Sequence, residues 1–273
     1  MTFRTDLALE HCGNEITLPD GVSLSRRQHS NITIEAVKIQ SENYLKPPGR
    51  YVTVTTPPLA APHMLDDDEL EAIATELADM LPETGTVLVA GLGNSDITPD
   101  AIGPRCAGQI LATRHLDDEA EQLLGELRPV AVISPGVLGQ TGMEAAEIVR
   151  ALTEQLSPSA VIVIDALAAQ SGIRLGRTIQ LADSGISPGS GVMNTRRELS
   201  QKTLGVPVIA VGVPTVVDAA ALAGEEEAKV SGMMVTPRDI DQLITHACRT
   251  LAIIINRALQ RTLPRDIIPY LMG

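Results

Sequence analysis

The sequence predicts an α/β fold, a layered and mostly parallel sheet flanked by helices, and three patterns predict it. From residue 66 onward, short apolar runs alternate with amphipathic helical stretches. The runs Thr86-Val87-Leu88-Val89-Ala90 and Val161-Ile162-Val163-Ile164 show no polar alternation, as expected of strands buried on both faces. Earlier in the chain, Ile32-Thr33-Ile34-Glu35-Ala36-Val37-Lys38-Ile39 and Tyr51-Val52-Thr53-Val54-Thr55 alternate with period two, as strands with one solvated face do.

In chain order, residues 1–62 read as a small N-terminal β-rich segment, either an appendage or an antiparallel edge of the main sheet. Pro57, Pro58 and Pro62 punctuate the connector to an α/β domain over 63–273. Residues 66–81 carry Leu70, Ile73, Ala74, Leu77, Met80 and Leu81 at helical spacing, with acids in the first turn. Then follow strand 86–90, a helix over about 100–114, strand 130–133, a helix over about 142–156, strand 161–164 and strand 206–211. The final helix is predicted to start at Thr236-Pro237-Arg238-Asp239, with Thr236 as its cap. The longest apolar stretch, 204–224, is broken by prolines, glycines and Asp218. It reads as strand, loop and helix, so no membrane span is expected. The N-terminal residues lack the apolar core of a signal peptide.

Composition narrows the function. With 34 acids against 21 Lys and Arg, the net charge is −13 and the pI about 4.8, which disfavours direct nucleic-acid binding and anionic membrane surfaces. Three Tyr, one Phe and no Trp leave nothing for base stacking. Cys12, Cys106 and Cys248 stand far apart, which suits a reducing compartment and offers no zinc or iron–sulfur pattern.

In open α/β sheets, sites lie beyond the carboxyl ends of the strands. Gly91-Leu92-Gly93 follows the first main strand, but Asp96 stands where a dinucleotide fingerprint needs its third glycine. No Gly-Lys-Ser/Thr and no nucleophile elbow occur, and the five His lie outside the strand-end loops. Carboxylates remain. Asp165 ends an apolar strand, where desolvation raises a carboxyl pKa, and Asp100 begins a helix in Thr98-Pro99-Asp100. Together they could share a proton and activate water; separately, each could be an ordinary capping or first-turn acid. Asp96 and Asp218 are weaker candidates. The glycine loops Ser134-Pro135-Gly136 and Pro188-Gly189-Ser190-Gly191 are expected to line the cleft, with Ser134, Gly136, Gly189 and Ser190 against the substrate backbone. No metal and no cofactor is expected.

At these loops the sequence resembles the germination protease, or spore protease, family of spore-forming bacteria. The resemblance rests on residues 89–104, 134–149, 161–169 and 178–218, with Arg4-Thr5-Asp6-Leu7-Ala8 and Met234-Val235-Thr236-Pro237. It implies an aspartic endopeptidase, made as a zymogen and assembled as a homotetramer, that starts degradation of small acid-soluble spore proteins in the spore core cytoplasm. It also implies a fold like the hydrogenase-maturation endopeptidases. The family's two aspartates fall on Asp100 and Asp165, and its self-processing site on Asp6 and Leu7, in an extended terminus expected to be accessible. A cut after an acid calls for a cationic subsite, for which Arg196 and Arg197 are candidates. Departures are a short prosegment, only residues 220–233 where the family usually carries a long insertion, and Asp96 in place of an amide. Two other readings compete: a metal-dependent maturation-type peptidase, and a non-catalytic binding protein on the same scaffold.

Overall fold

The computed structural model describes residues 6–7, 18, 20–41, 44, 46–62, 64–117, 124–187, 197–223, 230 and 232–272. Strands β1 (Val22–His29), β2 (Ile32–Ile39) and β3 (Gly49–Thr55) pair antiparallel. Strands β4 (Val87–Gly91), β5 (Val130–Ile133), β6 (Ala160–Ala169) and β8 (Val208–Asp218) run parallel, in the order β5-β4-β6-β8. Between the two groups, β7 (Thr178–Ala182) is antiparallel to both β3 and β8. A short β9 (Met234–Val235) pairs with the end of β8. Among the described residues these nine strands form one mixed sheet. Its parallel character is confined to the four strands from β8 to the β5 edge, because β7 turns back along β8 and sets the antiparallel sense that β3, β2 and β1 continue. Strands β1–β3 thus supply an antiparallel edge of the main sheet.

Period-two geometry splits the inner strands between two layers. Val87, Val89, Ile162 and Ile164 pack with Ile73 and Leu77 of α1 (Asp67–Ala78) and with Leu251 and Ile255 of α7 (Ile240–Leu259). Ile34, Val52 and Val54 of the N-terminal strands share that core. Leu88, Ala90, Val161 and Val163 face the other way, onto Ala145 and Val149 of α4 (Ala145–Leu156). Short helices α2 (Ile102–Ala107), α3 (Leu138–Thr141), α5 (Gln201–Leu204), α6 (Ala219–Ala223) and α8 (Ile268–Leu271) complete the described set. No helix of the described residues is long and apolar enough to cross a membrane.

The structure lengthens the two strands on which the site depends. β6 runs past Asp165 to Ala169, and β8 continues through the predicted loop at 212–218, where Val213, Thr215, Val216 and Val217 are β-branched. The helix expected over 100–114 is shorter, a 3₁₀ turn at Thr98–Asp100 followed by α2. The final helix starts at Ile240 with no side-chain cap, because the Thr236 hydroxyl instead donates to the Thr215 carbonyl at 3.0 Å.

Helix α1 ties the N-terminal strands to this frame. Asp66 and Glu69 form a capping box, and the second oxygen of Glu69 accepts the Asn31 N–H at 2.6 Å. In the last turn of the helix, Glu76 is 3% exposed and accepts from Arg27 of β1 and Arg50 of β3. Replacing Glu76 by Ala leaves both guanidinium groups without their carboxylate, whereas Arg27 is more than half exposed and shares its partner. Urea unfolding should therefore show a loss of about 2–3 kcal/mol for Glu76→Ala and about 1 kcal/mol or less for Arg27→Ala.

Candidate active site

Strand β4 pairs with β6 only as far as Gly91 opposite Ile164, while β6 continues along β8 to Ala169. Residues 165–169 therefore keep a neighbour on one edge after losing β4 on the other. Alternate residues of a strand direct their N–H and C=O to the same edge. Ile164 accepts the Leu92 N–H at 2.8 Å, the Ala166 N–H donates to Asp165 Oδ1 at 2.9 Å, and Ala168 accepts the Asp6 N–H at 3.0 Å. In return the Ala168 N–H donates to Asp6 Oδ2 at 2.8 Å. Residues 6–7 thus occupy the lane that β4 vacates. One oxygen of Asp165 reaches the same edge between them. Asp165 is 6% exposed.

Asp100 comes to this strand end through close backbone contacts. Gly93 has φ +111°, and a Cβ there would lie 2.0 Å from the Asp100 carbonyl oxygen. A Cβ on Gly103 would lie 2.0 Å from the Leu92 oxygen and 2.5 Å from the Ile164 oxygen. Gly93, from the Gly91-Leu92-Gly93 turn, and Gly103 thus let α2 and its leading turn sit directly on the ends of β4 and β6. Asp100 is half-buried, and its Oδ2 accepts the Asn94 N–H at 2.8 Å. The adjacency of the two acids' strands, unprovable from sequence, is present in the sheet.

Thr215 fixes the turn from the other side. The β6–β8 register steps between Leu167 opposite Pro214 and Ala168 opposite Val216, which leaves Thr215 as a bulge. It is fully buried, and its hydroxyl donates to the Pro99 carbonyl at 2.7 Å, next to Asp100. Nothing in the sequence singled out Thr215, since its role depends on the bulge.

The other predicted site residues fall out as follows. Ser134 is exposed after β5, and Gly136 has φ +73° beside Thr141. Gln140 of α3 donates to Asn94 Oδ1 at 2.9 Å and Asp96 Oδ2 at 3.0 Å, tying that loop to the Asp100 turn. Asp218 accepts the Ala220 N–H at 2.9 Å and so caps α6. Arg197 forms an ion pair with Glu147 of α4 at 2.9 Å. Gly189, Ser190 and Arg196 lie outside the described residues. Burial pushes the thiols of Cys106 and Cys248 up, the latter to about 12. No three His, Cys, Asp or Glu side chains converge among the described residues.

The N-terminal segment that was expected to reach a cleft is packed against β6. Leu7 has no exposed surface and packs with Leu167, Ala169 and Ile186. Lys46, which sequence reading missed because forty residues separate it from its partner, donates to the Asp6 carbonyl at 3.2 Å. A cavity of about 280 Å³ opens beside this contact, bounded by Lys46, Tyr51, Leu167, Gln180 and Gly212.

Residues 8–230 match the family model described as germination protease. The chain is 37% identical to the germination protease of Clostridium acetobutylicum over 96% of each chain, and 40% identical to that of Caldanaerobacter subterraneus subsp. tengcongensis over 94% of each. The first alignment spans 318 positions, so that relative carries segments with no counterpart here. Identity to the germination protease of Bacillus cereus is 42%, over 82% of this chain and 65% of that protein. A solved NiFe hydrogenase maturation protease, HycI from Thermococcus kodakarensis KOD1, aligns with 66% of this chain and 98% of its own at 16% identity and a TM-score of 0.39. Matched over most of its length by the family model and by full-length relatives, the chain belongs to the germination protease family, a family of peptidases.

Proposed function

We propose that the chain is an aspartic endopeptidase that initiates degradation of small acid-soluble spore proteins at germination, with Asp100 and Asp165 activating a water. The observation that carries this reading is the placing of Asp165 where β4 stops pairing with β6, beside the lane of β6 backbone that residues 6–7 occupy, with the Asp100 turn packed on the ends of the same two strands. A peptide laid in that lane would gain main-chain hydrogen bonds and bring a carbonyl beside Asp165. The acids differ in environment, one nearly fully buried and the other half-buried. In such a pair one carboxylate takes the proton of water while the other, protonated, gives a hydrogen bond or proton to the carbonyl oxygen and then to the leaving nitrogen. On the family resemblance alone, the proposal extends to a homotetramer of the spore core, produced as a zymogen.

Asp100→Asn and Asp165→Asn should each lower kcat for a spore-protein substrate by roughly 10³-fold or more, with unchanged melting curves. Near-normal turnover by either folded variant would exclude the dyad. With no cluster of metal-ligating side chains among the described residues, turnover should be unchanged by EDTA. Loss on chelation, restored by a single added metal, would favour the maturation-type reading.

Self-processing at the bond between Asp6 and Leu7 belongs to the same reading, and its support is that residues 6–7 lie in the lane of β6 backbone that begins at Asp165. Mass spectrometry of protein held under activating conditions should find a mature terminus at Leu7, absent from Asp165→Asn. An unchanged terminus in active protein would refute it.

A further inference from the structure

Asp6 and Leu7 are held as a bound peptide would be held. The backbone of Asp6 pairs with Ala168, its carboxylate takes the Ala168 N–H, and its carbonyl oxygen takes a hydrogen from Lys46 Nζ at 3.2 Å. Leu7 fills an apolar nest of Leu167, Ala169 and Ile186. The centre of this ledge, Ala168, is two residues beyond Ala166, or about 7 Å along the strand from the Asp165 contact.

Charge makes the arrangement informative. The protein carries a net charge of −13, so an acidic segment approaches it against a repulsive field unless a local cation compensates. Among the described residues bounding the cavity beside Asp6, Lys46 is the only Lys or Arg, and Glu198 stands on the same wall. Lys46 is largely buried; burial lowers its pKa, and the charge of Asp6 works in the opposite direction. Arg197, the cation that sequence reading offered for this role, is engaged with Glu147.

We propose that the ledge of Ala168, Leu167, Ala169 and Ile186 is the subsite for an acidic residue followed by an apolar one in the peptide to be cut, and that Lys46 is its specificity-determining residue. Ala168 offers one N–H, which an amide side chain could satisfy as well as a carboxylate. The ammonium of Lys46 distinguishes the two, because it gains charge attraction only from the acid while holding the carbonyl of the same residue in the lane. The chain's own Asp6 and Leu7 occupy the subsite in the structure. The assignment rests on the endopeptidase reading for its meaning, but the recognition itself can be tested without turnover.

Two peptides differing only in Asp or Asn before a Leu-Ala pair would be compared as substrates of the full chain. The unmodified protein should favour the Asp peptide in kcat/KM by about tenfold or more, Lys46→Met should bring the ratio close to one, and Lys46→Arg should keep most of it. A ratio unchanged in Lys46→Met of normal melting temperature would overturn the assignment. Asp165→Asn separates the two readings: it should cut neither peptide, and full cutting by it would count against the dyad alone.

The second measurement uses uncut protein carrying Asp165→Asn. Hydrogen exchange over residues 166–169 should speed up on adding Asp6→Asn, and Lys46→Met should remove most of that effect. Equal acceleration with and without Lys46 would mean that Ala168 alone reads the acid, and would also overturn the proposal.

Discussion

Everything at the site depends on a difference in length between two paired strands. β4 stops at Gly91 while β6 carries on to Ala169 with β8 still at its other side. Backbone N–H and C=O groups beyond Ile164 must find partners elsewhere, because an unpaired polar group in a buried sheet is costly. The described structure fills the gap first with the Asp165 carboxylate and then with Asp6. The same feature that leaves the sheet incomplete thus supplies the main-chain groups with which the extended residues 6–7 pair.

Rigidity around that gap comes from backbone contact more than from side-chain packing. Gly93 and Gly103 allow the Asp100 turn and α2 to sit closer to the strand ends than any side chain would permit. Across the sheet, a Cβ on Gly212 would lie 2.5 Å from the Asp165 carbonyl oxygen, so β8 is equally intolerant of change there. The bulge at Thr215 adds one hydrogen bond to Pro99 and receives one from Thr236, which links β8, the Asp100 turn and the start of the α7 segment. A frame of such backbone contacts holds the Asp100 turn against the ends of β4 and β6 with few rotatable bonds.

The inner sheet was legible because its strands are apolar on both faces; Asp165 stood out as the first acid in such a run, and Asp100 as an acid at a predicted helix start. β1 was not: Ser23, Ser25, Arg26, Arg27 and Gln28 form an exposed edge strand held by pairing to β2, with no hydrophobic period to announce it. The lengths of β6 and β8 were missed because Gly212 and Pro214 read as loop residues, whereas the bulge accommodates them inside a strand. Thr236 followed by Pro237 has the form of a helix start, but a tertiary hydrogen bond takes the hydroxyl elsewhere. Lys46 and Thr215 share this property. Their partners lie far away in the sequence, so only the assembled sheet reveals what they touch.

That Asp6 and the ledge belong to one molecule has a kinetic consequence. Encounter between them is first order, and the ledge experiences its own terminus at an effective concentration on the order of millimolar for a short tether. A free peptide with the same contacts, present at micromolar levels, would hold only a small share of the sites, and diluting the protein would not improve its chances. Occupancy by outside chains then rises steeply only where those chains are crowded together, or after the tether has been severed and the terminus becomes one dilute competitor among many.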